Sequence, residues 1–148
     1  MSQAISALQE ATDEVDAAAA ERLGVNRTDL RCINVLFVRG PLAANQLAAA
    51  TKITPGALTT AADRLEQAGY LVRQRLPHDR RRVFLTLTER ATSAIEEIWG
   101  PLVREAMTSL ARYDADQLAT ILDFAERAAE LQRRHAGRIQ MGRSLGHR

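Results

Sequence analysis

Arg80, Arg81 and Arg82 stand side by side in the stretch Pro77-His78-Asp79-Arg80-Arg81-Arg82. Three adjacent guanidinium groups repel one another and add nothing to a core. Each can instead pair bidentately with phosphate, and a guanidinium suits the negative potential of a narrow minor groove. His78 beside them reads as a surface group that could add one phosphate contact when protonated. A carboxylate repels phosphate, so Asp79 is expected to orient an arginine or close the turn. A second constellation lies upstream, with Lys52 followed by Thr54, Pro55, Gly56, Ala57, Thr59 and Thr60. Small residues let a helix approach base edges, threonine hydroxyls bond bases or phosphates, and threonine methyls touch thymine. Gly56 and Ala57 fall in a first helical turn, where backbone N–H groups can meet a phosphate. Either set alone also fits an ordinary solvated surface; together they suit a polyanion.

Other chemistry finds no footing. The sequence pairs no nucleophile with a base, has no phosphate-cradling glycine loop and shows no metal-ligand spacing. Its histidines, His78, His135 and His147, are scattered, and the single Cys32 excludes an intramolecular disulfide. The chain is read as neither an enzyme nor a metalloprotein, with no resident cofactor. Cys32 lies within a nearly all-apolar segment, where thiols are usually inert filler, although a redox-sensing role stays open.

Charge is distributed unevenly around a formal net of +2 over 148 residues. Residues 1–26 carry five acids and one base, and residues 91–132 carry eight acids and three bases. Residues 27–90 carry eleven bases and five acids, and residues 133–148 carry five arginines and no acid. A basic module between acidic segments is an electrostatic footprint for nucleic acid. No apolar run approaches the ~18 residues of a membrane span. Met1 to Glu10 lacks the basic start and apolar run of a secretory signal, so a cytoplasmic protein without membrane contact is expected.

The elements that would hold these residues follow from periodicity. Ile5, Leu8, Ala11, Val15, Ala18, Ala19 and Leu23 keep the spacing of one helix face, which predicts a helix over 3–23 closed by Gly24. Thr28 is expected to cap a buried helix over 29–38, which Gly40-Pro41 stops. A short helix over 44–50 and the turn Thr51-Lys52-Ile53 come next. Thr54-Pro55 then supplies a cap and a first-turn proline, a sharp start for a helix ending near Ala68. Its inner stripe is Leu58, Ala61, Ala62 and Leu65, which turns Gly56, Thr59, Thr60 and Asp63 outward. Two helices joined in this way suggest a helix-turn-helix.

The pattern then changes to period 2, predicting strands over 71–76 and 83–87 with the arginine stretch as the hairpin tip. Such a hairpin makes a winged helix. Thr88 is expected to cap a helix over 89–110, kinked at Gly100-Pro101. Asp114 and Gln117 form a capping box for a last helix to about Leu131. Residues 133–148 read as a basic, frayed tail. The expected fold is mainly α. Residues 1–27 form an N-terminal dimerisation helix, 28–88 the winged helix-turn-helix, and 89–132 the C-terminal dimerisation helices.

The stretch from Leu30 through Thr88 resembles the MarR family of bacterial regulators. The carrying segments are GPLAANQLAAATKITPGALTTAADRLEQAGYLVR and LPHDRRRVFLTLTER. The wing and the run Asp63-Arg64-Leu65-Glu66 to Gly69-Tyr70-Leu71-Val72 are their strongest parts. The resemblance implies a homodimer whose first and last helices interlock. It also implies a recognition helix in the major groove of double-stranded DNA and a wing arginine in the minor groove. Carried onto this chain, Arg81 is the minor-groove arginine, with Arg80 and Arg82 beside it. Asp63 and Asp79 brace the wing, and Arg64 contacts the DNA backbone or holds the wing. A near-palindromic operator, repression and release by a small aromatic or phenolic effector are implied in the same way. Two positions depart from the pattern. Thr60 stands where relatives often carry a basic residue, and Ala91 replaces a common glycine.

A dimer also follows from composition. The first, fifth and last helices each carry a continuous apolar stripe, more than one small winged helix can cover. Two-fold pairing hides the excess and sets two recognition helices about one DNA turn apart. The alternatives are a winged helix used only for protein contact, against which the wing arginines argue, and a redox-sensing regulator acting through Cys32.

Overall fold

A computed structural model describes residues 2–76 and 79–145, with side chains at 3–75 and 82–139. The elements run α1 Ser2–Leu23, α2 Arg27–Arg39, β1 Leu42–Ala43, α3 Ala44–Thr51 and α4 Pro55–Gln67. They continue as β2 Leu71–Leu76, β3 Asp79–Leu87, α5 Glu89–Leu110 and α6 Ala115–Leu145. No helix among the described residues is long and apolar enough to cross a membrane. The chain divides into two compact units, Met1–Pro101 and Leu102–Arg148.

In the first unit the helix ends follow local chemistry. α1 stops at Gly24, whose φ of +66° is the left-handed conformation that glycine adopts without strain. α2 begins two residues earlier than the sequence suggested. Its cap is Asn26, not Thr28: the Asn26 Oδ1 accepts the Asp29 N–H at 2.9 Å. The short Asn side chain on extended backbone reaches the third helical N–H, and Thr28 is left inside the first turn. α3 has no side-chain cap at its start, but the Gln46 side chain reaches back to accept the Ala43 N–H at 3.0 Å.

The turn into α4 is tight. Lys52 takes a left-handed conformation, φ 56°, that costs a non-glycine residue about 1–2 kcal/mol. Its N–H closes α3 on Ala49 O, and Ile53 N–H bonds Ala48 O. Thr54 then caps α4, its Oγ1 accepting the Ala57 N–H at 3.2 Å, with Pro55 in the first turn.

The wing is part of a three-stranded antiparallel sheet in the order β1-β3-β2. Leu71 pairs with Leu87 and Arg73 with Leu85, and the register is irregular between Gln74 and Leu76. The sequence showed only two strands. β1 is two residues long, too short for any periodicity, and forms because Leu42 and Ala43 lie against Leu85 and Phe84.

One core joins these pieces. Leu30, Ile33 and Leu36 of α2 meet Leu47 of α3, Leu58 and Leu65 of α4, and Leu71 and Leu85 of the sheet. The last turns of α1 (Ala19, Ala20, Leu23) and the first turns of α5 (Ala91, Ile95) belong to the same core. Each large aliphatic side chain buried here contributes about 1.5–3 kcal/mol. Thr88 caps α5, its Oγ1 accepting the Ala91 N–H at 3.1 Å while donating to Gly69 O at 2.8 Å.

In the second unit, the Asp114–Gln117 capping box starts α6, with the Gln117 N–H on Asp114 Oδ1 at 2.8 Å and the Asp114 N–H on Gln117 Oε1 at 3.0 Å. α6 does not stop near Leu131. It continues to Leu145 through the segment read as a frayed tail. No proline follows Asp114, and the arginines there are good helix formers that favour a helix C-terminus. Leu102, Val103, Met107, Ile121, Leu122, Phe124 and Leu131 of this unit are all exposed.

Candidate nucleic-acid interface

The fold presents one continuous small-residue surface at the start of α4. Lys52, Thr54, Pro55, Gly56, Ala57, Thr59 and Thr60 are all exposed. The buried stripe Leu58, Ala61, Ala62 and Leu65 fixes the opposite face of the same helix. A Cβ placed on Gly56 would meet nothing within 4 Å, so the first turn opens directly to solvent. The hydroxyls of Thr59 and Thr60 are turned onto the helix itself. Thr59 donates to Pro55 O at 3.0 Å, and Thr60 donates to Gly56 O at 3.2 Å.

Two ion-pair systems set the attitude of this helix. Asp29, in the first turn of α2, is buried, and its side chain is only 3% exposed. It accepts Arg64 Nε at 2.9 Å and Arg64 Nη2 at 2.6 Å, a bidentate pair across the helix-turn-helix. This hydrogen-bonded carboxylate raises the Arg64 pKa above its ordinary value. On the other side, Arg73 of β2 donates to Asp63 at 2.6 Å and also pairs with Glu66, both on α4. The bond to Asp63, aided by the charge of Glu66, raises the Arg73 pKa as well. Arg64 therefore ties α4 to α2, while Arg73 ties α4 to the wing.

A third joint links this head to α1 and α5. The Tyr70 hydroxyl donates to Leu23 O at 3.0 Å, and the Arg90 guanidinium lies 5.1 Å from the centre of the Tyr70 ring. Gly69, with φ +75°, makes the turn that brings Tyr70 there.

At the wing, Arg82 is exposed, and its guanidinium lies 5.6 Å from the centre of the Phe84 ring. Asp79, Arg80 and Arg81 belong to β3, but their side chains lie outside the described ones, and His78 lies outside the described residues. The sequence assigned no role to Asp29, Arg73 or Arg90, and Glu66 and Tyr70 figured in it only within the run that carries the family resemblance. An acid in an otherwise apolar helix was the one visible signal among them. Cys32 is buried one turn from Asp29, and its thiol is pushed up to about 11, chiefly by burial and then by the Asp29 charge. Among the described residues no group of histidine, cysteine and carboxylates could hold a metal ion.

A helix-turn-helix followed by a hairpin wing matches the MarR family model over residues 23–82. A curated relative, the uncharacterized HTH-type transcriptional regulator YcgE of Bacillus subtilis, is 33% identical over 123 residues, 83% of this chain and 80% of its own length. The chain belongs to the MarR family. It is a DNA-binding regulator of transcription, not an enzyme. Among solved structures, wild-type MarR from E. coli in its apo form superposes with a TM-score of 0.58 at 19% identity, covering 86% of this chain and 96% of that one, which shows the shared fold. The structure of NadR in complex with 4-hydroxyphenylacetate gives 0.60 at 25% identity, covering 83% and 89%. In this MarR-family chain the surface around Thr54–Thr60 thus lies on the second helix of the helix-turn-helix.

Proposed function

We propose that the protein is a homodimeric repressor that binds a near-palindromic operator, with α4 in the major groove and the wing in the minor groove. The observation that carries this reading is the exposed start of α4, braced from behind by Asp29–Arg64 and from the side by Arg73. A reading head needs small outward groups on a helix that cannot rock. Lys52, Thr54 and the first turn of α4 are assigned to backbone and base contacts. Arg81, flanked by Arg80 and Arg82, is assigned to the minor groove, with His78 near phosphate. Asp79 is assigned to bracing the wing.

The dimer rests on the apolar side chains left exposed. Leu8 of α1 is 69% exposed, and Leu122 and Phe124 of α6 are 59% and 50% exposed. Surfaces of this kind are covered in stable proteins, and a second copy would cover them symmetrically. NadR in complex with 4-hydroxyphenylacetate supports an aromatic acid as the effector class. Such a ligand need only prefer the conformation unable to bind DNA to release it. A cytoplasmic location fits a protein that acts on DNA.

The test is a titration against DNA from upstream of the protein's own gene, with unrelated DNA as control, at two salt concentrations. Tighter binding to the upstream DNA by a dimer, weakening steeply with salt, is expected. Equal affinity for both DNAs would overturn the operator reading.

A further inference from the structure

The first two turns of α4 offer a DNA base no side-chain hydrogen-bond donor. The hydroxyl protons of Thr59 and Thr60 are spent on Pro55 O and Gly56 O. Gly56 and Ala57 have no polar side-chain atom. One turn further, Asp63 and Glu66 are acceptors held by Arg73, and Arg64 is drawn back onto Asp29. The amide of Gln67 sits at the last position of the helix, about 10 Å beyond Thr60 along the axis. Lys52 and Thr54 lie before the first turn: the Thr54 oxygen accepts the Ala57 N–H, and its remaining proton and the Lys52 ammonium group are placed to meet phosphate at the helix end.

What remains at the tip is a set of methyl groups, on Ala57, Thr59 and Thr60, and two hydroxyl oxygens that can still accept. Guanine shows the major groove two acceptors, O6 and N7, and is read by arginine or lysine donors. Those donors are missing here. An A·T pair shows a thymine methyl and an adenine N6 amino donor, which match methyls and acceptors. Resting on the operator reading above, we infer that α4 specifies A·T pairs, with Ala57, Thr59 and Thr60 packing on thymine methyls and the threonine oxygens accepting from adenine N6.

Deoxyuridine in place of thymidine tests this directly, because it deletes only the major-groove methyl and leaves the minor groove seen by the wing unchanged. A consensus is first selected from a random duplex library with the full-length protein. Each thymine of the half-site is then replaced in turn. Expected are A·T pairs at the positions under α4 and about a three- to fourfold loss of affinity for each packed methyl removed. Thr60→Ser, which keeps the hydroxyl and removes the methyl, should erase the deoxyuridine effect at one position while leaving the others. Thr60→Arg should recruit guanine there. Both residues are exposed, so the fold should tolerate these changes. A consensus with guanines fixed under α4, or an affinity indifferent to every deoxyuridine, overturns this inference alone. A library that yields no consensus overturns the operator reading along with it.

Discussion

Asp29 accepts two hydrogen bonds from Arg64 across a sequence separation of 35 residues, with the carboxylate buried and the guanidinium half exposed. The two sides of this pair are not equivalent. Asp29→Ala leaves a guanidinium that can turn to water, and should cost about 1–3 kcal/mol of stability. Arg64→Ala leaves a carboxylate sealed in the core without its partner, which is the more damaging loss. Urea unfolding should therefore give a lower midpoint for Arg64→Ala than for Asp29→Ala. The reverse order would mean that the carboxylate is solvated.

Cys32 should be unreactive in the native protein. Its thiol is buried and pushed up to about 11, so almost no thiolate exists at neutral pH. Iodoacetamide at pH 7 should label it only as fast as the protein opens. The same shift has a stability consequence. A thiol with its folded pKa raised contributes stability that is fully present below the unfolded value of 9.0 and is lost as pH rises through about 11. Between those values the native chain should lose stability faster than Cys32→Ala, as read by parallel urea titrations. Equal slopes would show that the thiol is not buried in solution.

Tyr70→Phe deletes the hydroxyl that bonds Leu23 O and keeps the ring under Arg90. The loss should be about 1 kcal/mol, the usual net value of such a bond. Hydrogen exchange should quicken at the end of α1 before it does so in α4.

Arg81→Ala should weaken DNA binding and reduce the slope of log K against log salt by about one unit. Fluorescence anisotropy at several salt concentrations measures both quantities. A full slope with unchanged affinity would remove Arg81 from the interface.

Phe124→Glu places a charge on the apolar face of α6, where the side chain is half exposed. Light scattering should then report the mass of one chain in place of two, with operator affinity falling because each head binds alone. A variant that remains a dimer would move the interface away from α6.

Local signals made much of this protein legible. Thr54-Pro55, Thr88 and the Asp114–Gln117 box each act within four residues, and each caps the helix that its chemistry announced. The alternation of Val83 to Leu87 marked a strand. The outward positions of α4 followed from its buried stripe, because side chains three and four apart share a face.

Longer-range choices were not legible. Nothing in the neighbourhood of Asp29 says that its partner is Arg64, or that Arg73 will reach Asp63 and Glu66. Asn26 and Thr28 are both good caps, and only the structure distinguishes them, with α2 beginning at Arg27 and Asn26 accepting the Asp29 N–H. Leu42–Ala43 became a strand only because β3 offered an edge to pair with. The sequence by itself determined the order of helices and strands and the residues at the tip of the reading helix, since periodicity and capping act over a few residues. The tertiary structure alone decided which charges hold that helix in place, since contacts across tens of residues depend on how the elements pack.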